Sequence, residues 1–276
     1  MRGSAGLFFL PSLISLIPRA MADPLTPSHE RKRGSIAELF KGEELAYEIG
    51  FWVFKRAALG KMSFKEAEKK GQYIATLETE TMGILGFVSR YRVDAYRSIM
   101  EEIEGGSRLR ALSFDEDVKV GNTVRKNSHQ FDYQRRKWVR TRVRKGGVVQ
   151  KVEEDIPPGK VYDDFLTASY NFRYGVYGAI ERGKTYTVPT FPRKGATHYE
   201  LKVALREEEE KKRRSEGMKD QKEFFVKLIL DPDITHSKEG RIEGWLSKEL
   251  LPVEGILKDA ILFGDVKGTL IKSSRT

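Results

Sequence analysis

The sequence has 276 residues and no cysteine. That excludes disulfide staples, thiolate metal sites, a cysteine nucleophile and a lipidated N-terminal cysteine. Histidine is scarce. The four are His29, His129, His198 and His236, and none lies three or four residues from another, so the HExxH pair and related metal spacings are missing. No GxGxxG follows a strand pattern, no phosphate loop ends in GK[ST], and no GxSxG elbow occurs. The sequence therefore implies no cofactor, no metal and no catalytic machinery. No cysteine framework is needed for a chain of this length to bury a core.

Hydrophobic residues make up 39% and aromatics 11% of the chain, enough for a packed interior and against global disorder. Charged residues reach 33%, with a formal net charge of +10. A basic protein attracts nucleic acid, anionic lipid or acidic glycans. Here the bases are interspersed with acids along the chain, which accounts for the charge as solubility alone.

The first residues read as an export signal. Arg2 supplies a positive start, Ala5 to Ile17 a short apolar run broken by Pro11, and Ala20-Met21-Ala22 the small residues that a signal peptidase reads. Cleavage is expected after Ala22, and the protein is expected in the periplasm. The run falls short of the roughly 20 residues that span a bilayer, and no later stretch reaches them, so membrane contact is expected to be peripheral at most. Residues 23–40 read as a flexible leader, ending in an amphipathic turn from Ser35 to Phe40.

From residue 43 the dominant period is two, the strand signal. Leu45, Tyr47, Ile49, Phe51 and Val53 share one face of a first strand over 43–54, read as continuous core; Trp52 and Phe54 lie on the other. Lys55–Leu59 is read as a turn or bulge. Alternation resumes over 60–67, with Met62 and Phe64 inward, turns at Lys69–Gln72, and continues over 73–81. Met82–Tyr91 has apolar residues at helical spacing and predicts a short helix or lid containing Phe87. Further strands are expected at 93–103, 109–116, 126–133, 138–143, 148–153, 185–191, 197–205, 222–230, 241–246 and 257–271. The last is read as one strand with Ala260, Leu262, Gly264, Val266, Gly268 and Leu270 on one face. Val161–Tyr174 changes period. It predicts a helix capped by Asp163 or Asp164, with Phe165, Leu166, Ser169, Phe172 and Arg173 on one side and Tyr170 and Tyr174 flanking. Arg206–Gln221, four glutamates followed by a basic block, is read as a charged hairpin or short helix, more simply a solvated excursion.

Three features could carry chemistry. The adjacent Asp163 and Asp164 could do acid–base work, though carboxylates at a helix start more commonly cap it. Asp231, Asp233 and His236 could hold a metal, though Asp-Pro-Asp more commonly seeds a turn. In the basic run 133–144, Trp138, Arg140, Arg142 and Arg144 share a strand face. Arg140, Arg142 and Arg144 form the best candidate patch for anions, lipid phosphate or polysaccharide rather than nucleic acid; the plainer reading is a solvated outer sheet face.

In this order the segments resemble a bacterial exported family, termed domain of unknown function 3108. The resemblance rests on Gly42-Glu43-Glu44-Leu45-Ala46-Tyr47-Glu48-Ile49, on Gly60 after Trp52-Val53-Phe54, and on Asp164-Phe165-Leu166-Thr167-Ala168-Ser169-Tyr170 with Arg173 and then Gly183-Lys184. It ends with Gly240 to Ser247 through Pro252 to Phe263-Gly264. It covers about residues 40–272 and implies a periplasmic all-β protein of no established activity. More distantly the chain is similar to periplasmic lipoprotein carriers, whose curved sheet encloses an apolar cavity.

The expected architecture is mainly β: residues 41–272 as a single domain, a long antiparallel sheet curled into an open or closed barrel around one or two short helices. Two functions follow. In the first, a non-enzymatic envelope protein binds or carries an apolar or lipid-like ligand, with Tyr47, Phe51, Met62, Phe64, Phe87, Phe165 and Phe172 lining the pocket or simply forming core. In the second, a structural or assembly protein contacts other envelope proteins through the basic strand or the charged hairpin. A hydrolase using Asp163, Asp164 or the 231–236 cluster is a third, weaker reading.

Overall fold

The computed structural model describes residues 34–51, 54–83, 86, 90–143, 147–193, 196–216, 222–230, 235, 237–260 and 264–275. The export signal, Trp52, Phe87, Arg144 and the Asp231, Asp233 and His236 cluster lie outside them, as does half of the proposed lid.

Fourteen described strands form one antiparallel sheet. They are β1 (Glu43–Phe51), β2 (Phe54–Glu66), β3 (Gln72–Thr81), β4 (Val93–Ile103), β5 (Arg108–Val120), β6 (Thr123–Asp132), β7 (Lys137–Val143), β8 (Val149–Asp155), β9 (Thr185–Arg193), β10 (Ala196–Val203), β11 (Phe224–Ile229), β12 (Arg241–Leu246), β13 (Pro252–Ala260) and β14 (Gly264–Arg275). Helices α1 (Ile36–Phe40), α2 (Phe165–Tyr174) and α3 (Arg206–Glu216) complete it. The order is β8-β7-β6-β5-β4-β3-β2-β1-β14-β13-β12-β11-β10-β9. Two meanders therefore run outward from the β1–β14 pair, and the β8–α2–β9 connection crosses from one sheet edge to the other.

The sheet is mainly β and open: the order ends at β8 and β9, which are not paired with each other. It is nonetheless curled. Phe191 of β9 packs on His129 (4.4 Å between ring centroids), Phe131 (5.5 Å) and Trp138 (5.7 Å) of β6 and β7. The Asp163 N–H also donates to the Pro189 carbonyl. An aromatic seam thus brings the two ends of the sheet together without a hydrogen-bonded ladder.

Several readings need correction. Lys55–Leu59 is not a turn but the start of β2. The pairing of β1 with β2 shifts between Ile49 and Phe51, so the irregularity is a bulge inside the ladder. Residues 257–271 are not one strand but the end of β13 and most of β14, paired Ala260 with Gly264. The apolar residues of that connection hid the reversal. The charged segment at 206–221 is not a solvated excursion: α3 lies on the outer sheet face. Glu209 is 2% exposed, bound by Arg182 Nε (2.8 Å) and the Phe225 N–H (3.2 Å). Arg213 sits 5.1 Å from the centroid of Trp245. A block of opposite charges can lie on a sheet because long basic side chains cover aromatic surface with their stems and rings with their cations.

Ser35 caps α1 reciprocally: the Glu38 N–H donates to Ser35 Oγ and the Ser35 N–H to Glu38 Oε2, a capping box. The helix buries Ile36, Ala37 and Phe40. Phe40 meets the Tyr170 ring at 5.1 Å.

Candidate functional site

Helix α2 divides the interior. Leu166 and Tyr170 belong to a densely packed cluster with Phe40, Leu45, Phe64, Met100, Leu109 and Phe114. Phe165, Ala168, Ser169, Phe172 and Arg173, at the i, i+3, i+4, i+7 and i+8 positions of the opposite side, border a cavity of about 520 Å³. The reading of one buried side is thus corrected: the helix is enclosed around its circumference, with Thr167, Tyr170 and Asn171 fully buried because the sheet wraps it.

The cavity's far wall is aliphatic, built from inward residues of β10–β14 such as Leu201, Val226, Leu228, Ile242, Leu257 and Val266. Two glycines, Gly244 and Gly255, also line it. Gly244, Gly255 and Gly268 are directly paired across β12, β13 and β14, and the row continues to Ile49, Ala58 and Thr81. A Cβ built on Gly255 would meet nothing within 4 Å. At Gly255 a side chain is missing where a filled barrel would interdigitate one, whereas a Cβ on Gly244 would meet the Glu254 carbonyl oxygen at 3.0 Å. Polar residues concentrate on one wall, where Thr79, Thr81, Arg92 and Asp94 join the ends of β3 and β4. Arg92 Nε donates to both carboxylate oxygens of Asp94, at 2.9 and 3.0 Å.

Both ends of α2 are clamped. At its start Asp164 is the cap. The Leu166 and Thr167 N–H groups donate to one oxygen and the Ser98 and Thr167 hydroxyls to the other, all at 2.7–3.1 Å. Burial raises its pKa against the pull of these donors. Its neighbour Asp163 accepts from Arg108 (2.8 Å) and the Tyr177 hydroxyl (2.6 Å). Burial outweighs the arginine and lifts its pKa to about 7. Both carboxylates are fully buried and lie outside the cavity lining. Asn171 exchanges two 2.9 Å hydrogen bonds with the backbone of Leu109, replacing the ladder partner that β6 does not provide at that level.

At the helix end Gly175, in the left-handed region (φ 95°), closes the last turn by donating to the Asn171 and Phe172 carbonyls. Arg173 forms a bidentate pair with Glu43 of β1 (2.7 and 2.6 Å) and donates to the Leu250 carbonyl (3.0 Å). Sequence reading placed Arg173 on the helix but missed Glu43, 130 residues away. The available signal was an acid on the apolar face of β1, in phase with Leu45 and Tyr47.

The expected pocket residues divide. Phe51, Phe165 and Phe172 line the cavity. Met62 and Phe64 are packed core and Tyr47 packs against it, its hydroxyl donating to the Pro252 carbonyl. Phe87 is among the residues not described. Nor is the inward face of β1 continuous core, since Ile49 and Phe51 face the cavity. Arg140 and Arg142 do not lie on a solvated outer face. They share the concave face with the fully buried Trp138, half-buried, beside a cleft of about 380 Å³, and Arg142 Nε donates to Asn127. His129 is a core histidine, receiving the Trp138 indole N–H at 3.2 Å. Among the described residues no three His, Asp or Glu side chains gather into a metal-holding group, and no helix is long and apolar enough to cross a membrane.

A family model described as "Protein of unknown function (DUF3108)" matches residues 46–270, from the first strand to the last. The chain belongs to this family. Among solved structures it is similar to a β-barrel-like protein of domain of unknown function DUF1849 from Brucella abortus. The match has 14% identity and a TM-score of 0.44, covering 85% of this chain and 97% of that one. No curated protein matches the chain. The DUF3108 protein is, by its own strand order, an open, curled antiparallel sheet wrapped around α2.

Proposed function

We propose that this DUF3108 protein is a non-enzymatic binding or carrier module of the bacterial envelope, exported to the periplasm by its first 22 residues and holding an apolar or lipid-like ligand beside α2. The cavity carries the reading. Its volume of about 520 Å³ lies within the range of small-molecule sites, about 300–1,000 Å³, and its lining is largely aliphatic and aromatic with a few convergent polar groups. A barrel built only as a scaffold gains by filling such space.

The alternative, a structural protein acting through its charged surface, has less support. Lys212 of α3 is engaged with Glu216 and Glu243 at 3.0 and 3.1 Å, and the arginines of β7 face the concave side.

Native mass spectrometry of protein purified from the envelope fraction tests the reading. The expected species begins at Asp23 and carries a co-purifying apolar molecule, which the cavity-filling variant Gly255→Leu loses. A ligand-free mass that binds no lipid added afterwards overturns it.

A further inference from the structure

Resting on the reading of the cavity as a ligand site, we infer the class of its occupant: a single-chain amphiphile whose polar head has no net charge, its tail on the glycine row and its head against Arg92 and Asp94. The charges supply the first half. Among the described residues four charged ones line the cavity: Arg92, Asp94, Arg173 and Glu254. Each is already matched within the protein. Arg92 and Asp94 neutralise each other at 2.9 Å. Arg173 is held by Glu43, and Glu254 by Lys222 and Lys267 at 2.6 and 2.8 Å. A ligand charge entering this space would lose its hydration and find no unmatched counter-charge among the described residues, which is costly in an apolar surround. A carboxylate drawn to Arg92 would meet Asp94 at the same place.

A headless hydrocarbon fits no better. Thr79, Thr81, Arg92 and Asp94 cluster on one wall, with donors and acceptors side by side. The Arg92 and Asp94 side chains retain 24% and 16% exposure, so a polar head held there keeps contact with water. The arrangement suits an ester, a hydroxyl or a zwitterion, which presents both signs or both hydrogen-bonding senses. The glycine row crosses three strands, about 10 Å at the usual strand spacing, and Gly255, where a Cβ would meet nothing within 4 Å, leaves room on it for a tail. With α2 packed into the other half of the interior, the space of about 520 Å³ suits one chain rather than two.

The test is a binding panel on delipidated full-length protein, read by native mass spectrometry and by displacement of a fluorescent probe below micellar concentrations. The panel is a lysophosphatidylcholine, a monoacylglycerol, the fatty acid of the same chain length at pH 8, a diacyl phosphatidylcholine and hexadecane. The two single-chain neutral heads are expected to bind about tenfold or more tighter than the other three. Asp94→Asn, which leaves Arg92 unmatched, is expected to shift the preference towards the fatty acid by about tenfold relative to the neutral ligands. Should that variant fail to fold, the wild-type panel decides alone. A wild-type protein that takes the fatty acid, the two-chain lipid or hexadecane as tightly as the neutral amphiphiles overturns the inference and leaves the ligand-site reading standing. No binding of any probe overturns both.

Discussion

The pair of Glu43 and Arg173 ties the helix to the first strand, and its removal should be felt by the whole domain. The carboxylate and guanidinium are 3% and 4% exposed and share two short hydrogen bonds. The guanidinium also lies 4.6 Å from the centroid of Phe40, linking α1 to the same point. Arg173→Met leaves Glu43 buried without a counter-charge and the Leu250 carbonyl without its donor. Breaking a buried pair from one side costs about 3–5 kcal/mol. For a domain of this size that lowers the melting temperature by roughly 6–20 °C. Glu43→Leu should cost a similar amount. The double variant, with an apolar pair in place of the ionic one, should recover most of the loss, because the desolvation penalty disappears with both charges. The cycle is read by urea unfolding, with fluorescence of the fully buried Trp138 and Trp245 and far-ultraviolet circular dichroism as coincident probes. A coupling energy of about 2 kcal/mol or more is expected. Single variants within about 1 kcal/mol of wild type, or strictly additive losses, would refute the claim that this pair is a clamp.

Other outcomes follow from the same geometry. Gly255→Leu places a side chain in open space, and burying it should stabilise the empty protein by about 1–3 kcal/mol in thermal or urea unfolding; destabilisation would mean that the row is packed. Asp163 has a folded pKa of about 7, above its ordinary 3.8, so the folded state holds the extra proton between those values. Its contribution is complete below pH 4 and lost as pH rises through 7. Relative to Asp163→Asn, wild type should therefore lose on the order of 3–4 kcal/mol between pH 4 and 8, and parallel pH profiles would contradict this. Phe191→Ala removes the residue on which the barrel seam closes and should cost about 3–5 kcal/mol, with faster hydrogen exchange in β8 and β9 than in β1 and β2. Uniform exchange would place the closure elsewhere.

How much of this was legible in the sequence differs by feature. Alternation located strands well where one face is core and the other water. Val93–Ile103 and Arg241–Leu246 are read to the residue, and Asp164 as a cap follows from its chemistry. The reversal between Ala260 and Gly264 escaped because apolar residues continue through it, so turn chemistry was silent. Alternation also cannot separate core from cavity, since both demand apolar inward residues: Phe64 and Phe51 look alike in sequence, yet only one meets a packed neighbour on every side. The glycines were the missed cue. Gly244, Gly255 and Gly268 occupy inward positions of three strands, but their alignment depends on register, which a single chain read linearly does not reveal. The Glu43–Arg173 pair and the aromatic seam are tertiary for the same reason.

The hollow half of the barrel is itself an energetic statement. At about 24 cal/mol per Å³, an empty apolar space of 520 Å³ would forgo about 12 kcal/mol of packing, as much as the net stability of a whole domain, about 5–15 kcal/mol. Solvent entering the cavity reduces that figure, but water against the aliphatic wall finds few polar partners. The two clamped helix ends and the seam hold α2 in place without support from the cavity side, and so keep the space open at a cost that an occupant can recover at about 0.8 kcal/mol per buried methylene. Delipidated protein should then melt lower than the form isolated from the envelope. Adding a monoacylglycerol at 100 times its dissociation constant should restore about 2.7 kcal/mol by mass action, rising with ligand concentration in differential scanning calorimetry. The Gly255→Leu protein, its space already occupied, should show neither the loss nor the recovery; a melting temperature that responds equally in both proteins would place the bound lipid outside the barrel.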